Sequence, residues 1–163
     1  MWAQNVAFGI VAAAMAIAAL RVVTTKNLVH AALYLVVVLA GVAAQYILLA
    51  AEFLGWVQVL VYIGAIIVLF LFGIMLTRAP MGNLPDLDND QRWPALVVSL
   101  FLAGVLGTIL VDGFDDTKVE PETVTSTGEL AGSVFRDYVI PFEVVSMLLL
   151  AGLIGAVVMA RRD

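Results

Sequence analysis

The chain contains no cysteine and a single histidine, His30. Iron–sulfur clusters are held by cysteine thiolates, so this chain cannot ligate one. A haem held by two histidines is excluded within the chain on the same ground. Any redox step therefore belongs to a partner, and the lack of cysteine leaves the redox compartment open. Charge is also scarce. Charged residues make up 13% of the chain, roughly half the usual share. The net charge is −5, and no basic patch exists to hold a nucleic-acid backbone, so nucleic-acid binding is set aside.

Apolar sequence is abundant instead. Hydrophobic residues are 63% of the chain, and the mean hydropathy is +1.07. Soluble domains lie near about 45–50% apolar. This composition describes a polytopic membrane protein. Five apolar segments are predicted as transmembrane helices: 2–20, 28–51, 53–77, 93–111 and 138–160. At about 1.5 Å per residue each can cross a hydrocarbon core of about 30 Å. The expected fold is all-α, one membrane domain over residues 1–163. The first segment begins MWAQN without a positive region and ends at Arg21 without a clear cleavage site, so it reads as a retained helix.

The basic residues give an orientation. With five spans, Arg21, Lys26, Arg78, Arg92, Arg161 and Arg162 share one side, and only Lys118 and Arg136 share the other. The positive-inside rule then places the N-terminus outside and the C-terminus in the cytoplasm. Helices two and three are joined by AAEF, which demands a tight hairpin with Glu52 at its outer tip. The loop 78–92 holds Pro80, Gly82, Asn83 and Pro85 and should be irregular. Residues 112–137 gather Asp112, Asp115, Asp116, Glu120, Glu122, Glu129 and Asp137 and are expected to form an acidic outer loop. No internal repeat is visible, which argues against an inverted-repeat transporter working alone.

Several residue groups invite a functional reading. Asp86, Asp88 and Asp90 imitate the start of a calcium loop, but Gln91 and Val97 stand where the required glycine and bidentate glutamate belong. A solvated acidic loop is the reading kept. His30, near the start of helix two, reads as an interfacial or packing residue, with proton carriage the lesser alternative. Pro141 marks the expected start of the last helix and puts Glu143 in its first turn. Exposed N–H groups and the helix dipole stabilise a carboxylate there, and a proton or water contact is the competing account. Glu52 is explained by a loop tip, with a functional role as the alternative. Small residues four apart, such as Ala12 and Ala16, Ala103 and Gly107, Ala151 and Gly155, and Gly152 and Ala156, permit close helix packing in lipid.

The third segment holds the most informative group. Gln58 and Tyr62 are at i and i+4 and are expected on one helix face. An unpaired amide or phenol facing hydrocarbon is costly, so that face should look into protein or water. Gly64 and Gly73 weaken the helix locally and allow a bend or a bulge with i→i+5 bonding. Ordinary packing, with Tyr62 hydrogen-bonded to a neighbour, accounts for the group from the residues alone.

FLGWVQVLVYIGAIIVLFLFGIML, at positions 53–76, resembles the signature of the J subunit family of bacterial respiratory complex I, NADH:quinone oxidoreductase. KNLVHAALYLVV and IPFEVVSMLLLAGLIGAVVMARR are similar to the same family, and the resemblance spans all five segments in order. Leu28 departs from it, standing where many members have proline. The resemblance implies a subunit of the membrane arm beside the quinone-reducing module. It implies a third helix carrying a π-bulge near Tyr62 that switches between bulged and regular forms. That switch would open or close a water path between the quinone site and the proton-pumping subunits. It implies that NADH, FMN, iron–sulfur clusters and quinone are handled by partner subunits, with no cofactor in this chain. The expected location is the bacterial plasma membrane. Tyr62, Gly64 and Gln58 would form the gating group, with Ile67, Leu69, Phe70 or Phe72 moving into or out of a wet channel. Glu143, Glu52 and His30 are secondary polar candidates. Two alternatives remain: a related complex using ferredoxin or a deazaflavin donor, and an independent small transporter or channel.

Overall fold

The computed structural model describes residues 2–77, 91–114 and 125–161. Helices account for nearly all of them: α1 (Trp2–Thr24), α2 (Leu28–Leu48), α3 (Glu52–Val57), a π-helical segment (Gln58–Ile67), α4 (Val68–Leu76), α5 (Arg92–Phe114), α6 (Thr127–Arg136) and α7 (Val139–Ala160). There is no strand among the described residues. α3, the π segment and α4 run on as one rod, Glu52–Leu76. That rod and α1, α2, α5 and α7 are each long and apolar enough to cross a membrane. The expected segments and the observed helices agree to within a few residues at each end. The calcium-like Asp86, Asp88 and Asp90, the loop prolines, Arg78 and Lys118 lie outside the described residues.

Two compact units divide the chain, residues 1–123 and 124–163. In the first, α2 is the central helix, packed against α1 on one side and the third rod on another. Its start is fixed by Asn27, whose Oδ1 accepts from the N–H groups of Val29 at 3.0 Å and His30 at 3.2 Å. Leu28 is the first helical residue, where a missing N–H costs nothing and proline also fits. Close approach is set by small residues. Ala18, Ala32, Ala43 and Gly55 are buried. A Cβ on Gly41 would overlap the Met15 side chain, and one on Gly55 would lie 2.9 Å from Ile47 Cγ1. Van der Waals contact of this kind is what holds helices together where lipid supplies no hydrophobic drive.

The hairpin between α2 and α3 closes by a Schellman motif. Ala51 N–H donates to the Tyr46 carbonyl at 2.8 Å, and Ala50 N–H to that of Ile47 at 3.0 Å. Ala50 holds the left-handed position, with φ of 58°, where glycine is usual.

α5 is exposed from Trp93 to Phe114 except at half-buried Gly107. Its hydroxyls are satisfied internally. Ser99 donates to the Ala95 carbonyl at 2.7 Å and Thr108 to that of Val105 at 2.9 Å. In the second unit α6 packs on α7, whose residues are all exposed. Apolar surface on this scale needs acyl chains or neighbouring helices around it.

Two expectations are corrected here. Residues 112–137 are not a loop throughout. α5 runs through Asp112 to Phe114, and Thr127–Arg136 is helical. The cause is a capping box at Ser126 and Glu129, which satisfies N–H groups that a helix start leaves free. Glu143 is not in the first turn of the last helix. α7 begins at Val139, two residues ahead of Pro141, because proline fits any early position that has no intrahelical N–H bond to make. Phe142 N–H already donates to the Tyr138 carbonyl at 3.0 Å, so Glu143 falls beyond the free donors.

Candidate functional site

The site is built on the third rod. Its burial pattern records which side meets α2. Gly55, Gln58, Ile67 and Ile74 are buried and Ile63 and Leu71 half-buried, and α3, the π segment and α4 all pack on α2. Most steps along this face are three or four residues, as 3.6 residues per turn require. The step from Gln58 to Ile63 is five. It falls inside the ten-residue π segment, where i→i+5 bonding takes up one extra residue per turn. Before and after it, the helix presents an ordinary face.

This step separates the two polar residues expected to share a face. Gln58 is 7% exposed and lies against α2, while Tyr62 is 47% exposed and points away. Ile63 occupies the inward place that a regular helix would give to Tyr62. Ile67 is buried at 4% exposure, and Phe70 is 47% exposed. Leu69 and Phe72 also face outward. Gly64 sits within the π segment, and a Cβ there would stand 3.3 Å from the Val59 carbonyl oxygen, five residues back. Gly73, also singled out for local weakness, lies in regular α4 with open space beside it.

The secondary candidates are dispersed. Glu52 is the first residue of α3, exposed, where the helix dipole favours a carboxylate. His30 is exposed in the first turn of α2, on the strip with Leu33, Val37 and Ala40 that neither α1 nor the third rod covers. Glu143 is exposed on α7, in the second unit. Within the first unit, neither Glu52 nor His30 lies on the buried face that carries Gln58. Among the described residues, no three His, Asp or Glu side chains gather as metal ligands.

Gln45 was not singled out from the sequence. Its Nε2 donates to the Phe8 carbonyl of α1 at 3.3 Å, and its Oε1 is buried without a partner among the described residues. The reasoning that picked out Gln58, an amide inside an apolar run, applies equally to it. A buried amide oxygen left unpaired costs about 1–3 kcal/mol, so this edge of the α1–α2 contact favours a further donor.

The fold and this site define a class: a multi-pass helical membrane protein whose third span is π-helical over its middle. Comparison with known proteins narrows the class. The family model for NADH-ubiquinone/plastoquinone oxidoreductase chain 6 matches residues 18–159. The chain is 42% identical to the F(420)H(2) dehydrogenase subunit J of Methanosarcina mazei, covering 98% of this chain and 92% of that protein. It is 36% identical to the NAD(P)H-quinone oxidoreductase chain 6 of Synechocystis, covering 98% and 82%. With the NADH-quinone oxidoreductase subunit J of Escherichia coli it shares 34% identity over 90% of this chain and 81% of the other. The chain belongs to the chain 6/subunit J family of the NADH-quinone oxidoreductases.

Proposed function

We propose that this chain is a membrane-arm subunit of a proton-translocating NADH:quinone oxidoreductase. Its third span couples quinone reduction to proton movement by passing between π-helical and regular α forms. The five-residue step between Gln58 and Ile63 carries this reading. Closing it to four turns everything beyond by about 100°, one residue's share of a turn. Tyr62 then replaces Ile63 beside α2 and joins Gln58, so the expected i, i+4 pair describes the regular form. Ile66 replaces Ile67, Phe70 replaces Leu71, and Gly73 replaces Ile74. One form thus puts aliphatic side chains at the helix contact, and the other puts a phenol there with a phenyl ring two turns on. Apolar constrictions of this kind gate water by dewetting.

The chain has no midmembrane pair of lysine or glutamate residues of the kind a self-sufficient proton pump needs, so the titrating groups of a proton path belong to neighbouring subunits. With no cysteine and one histidine, it offers no ligand set for the redox centres. NADH, FMN, iron–sulfur clusters and quinone are accordingly assigned to partners. The bare flanks of α5 and α7 are where membrane-arm neighbours and lipid would pack. The bacterial plasma membrane is the proposed location. The charge distribution supports an outside N-terminus, a cytoplasmic C-terminus, and a 78–92 loop on the side of the quinone module.

A second reading keeps the same membrane role in a complex fed by a donor other than NADH. It is favoured by the 42% identity to a subunit of an F(420)H(2) dehydrogenase. Mild detergent extraction, native gel separation and identification of the co-migrating subunits test both. A large assembly with an NADH-oxidising module supports the first, and another donor-oxidising module supports the second. Migration as a lone small oligomer would sink both and favour an independent transporter.

A further inference from the structure

α6 has a sharply two-sided sequence. At about 100° per residue, Leu130, Val134, Thr127, Ala131 and Phe135 fall on one half of the helix. Gly128, Glu129, Gly132, Ser133 and Arg136 fall on the other. Its start is pinned by the capping box: Ser126 N–H donates to Glu129 Oε2 at 2.9 Å, and Glu129 N–H to Ser126 Oγ at 3.3 Å. Its end is pinned to α7. Tyr138 N–H donates to the Ser133 carbonyl at 3.0 Å, and the Phe135 ring meets that of Phe142 edge-on, with centroids 5.1 Å apart.

Contact with α7 uses only part of the apolar half. Leu130 and Val134 are half-buried, as are Gly132 and Ser133 beside them, but Ala131 is exposed and Phe135 is 62% exposed. Only Asp137 and Tyr138 separate the two helices. At about 3.6 Å per residue, the end of α6 lies within roughly 10 Å of the start of a membrane span. A ten-residue helix is about 15 Å long and cannot cross a core of about 30 Å. The exposed Phe135 therefore stands beside the first turns of a span, on a helix that does not itself enter.

We propose that α6 lies flat in the membrane interface. Ala131 and Phe135 rest on phospholipid acyl chains, and Glu129 and Arg136 face headgroups and water. The occupant of its open face is phospholipid, because a two-sided helix too short to cross, tethered by two residues to the start of a span, holds its apolar side at the level of the acyl chains. The two opposite charges on the helix leave it no preference for anionic lipid, so apolar contact alone holds it there. In this position α6 fixes the depth at which α7 starts.

The test is made on the assembled complex in native membranes. A photoactivatable diazirine amino acid replaces Phe135 or, separately, the exposed Arg136 on the polar half, and Ala131 serves as a second apolar site should the Phe135 variant fail to assemble. After illumination, this chain is weighed by mass spectrometry. The expected result is a mass gain of one phospholipid at 135 or 131 and none at 136. Crosslinks from the apolar positions to another polypeptide, or equal lipid adducts on both halves, would overturn the proposal.

Discussion

Deleting Val61 isolates the π segment from everything else the third rod does. Val61 is exposed and sits inside the five-residue step. In a regular helix five residues turn about 500°, about 140° past a full turn, whereas four turn about 400°, only 40° past it. Removing one residue brings the original Ile63 four residues after Gln58, so Ile63, Ile67, Leu71 and Ile74 all keep their places against α2 in a regular helix. An exposed valine contributes only a fraction of the about 1.5–3 kcal/mol that full burial would, so the packing cost is small. Deleting Val37, an exposed valine in the middle of α2, is the control. α2 has no bulge to absorb it, and the half carrying Ala43 rotates by about 100° relative to the half carrying Ala32. The assays are complex abundance on native gels, donor–quinone turnover, and the proton-to-electron ratio in vesicles. The Val61 deletion should assemble at nearly normal abundance, and its coupled turnover should fall about tenfold or more, equivalent to about 1.4 kcal/mol or more in the barrier. The Val37 deletion should lose the assembly. Normal pumping by the Val61 deletion would refute a role for the bulge, and a loss of assembly as deep as that of the control would refute the register.

Other substitutions probe the same rod and its hairpin. Tyr62→Phe conserves volume on an exposed position, so assembly should persist while the proton-to-electron ratio falls; an unchanged ratio and turnover would remove Tyr62 from the path. Gly64→Val places a branched side chain where even a Cβ meets the Val59 carbonyl at 3.3 Å. It should disfavour the π form and slow turnover severalfold, roughly 1 kcal/mol in the barrier, measured as quinone reduction in membranes. Ala50→Gly relieves a left-handed alanine and should stabilise the hairpin by about 0.5–1 kcal/mol, read as a higher midpoint of thermal aggregation in detergent.

Hydropathy alone located the five spans, because a lipid core demands long apolar runs and little else. The rest was legible unevenly. The capping box at Ser126 and Glu129 is written in the sequence as STGE, but the surrounding acidic residues drew a loop reading over it. Pro141 marked a helix start only to within two residues, since proline is tolerated throughout the first turn, and Glu143 was misplaced with it. Gln58 and Tyr62 were found as polar residues in an apolar run, yet their relation was not. Which of Tyr62 and Ile63 turns inward depends on whether the backbone bonds to i+4 or i+5, and residue types compatible with a helix suit both. The resemblance to known J subunits, rather than composition, pointed to the bulge. Close contacts such as Gly41 with Met15 depend on how α1 crosses α2, which no single segment encodes.

Because the chain has no cysteine, a maleimide mass tag on its gel band reports one introduced thiol even within a large complex. Ile66→Cys and Ile67→Cys occupy an outward and an inward place in the π form. Their labelling rates are measured with the complex at rest and during quinone reduction. A helix that switches should change the two in opposite directions, slower at 66 and faster at 67 during turnover. Rates that stay fixed, or that move together, while quinone is being reduced would contradict a switching third span.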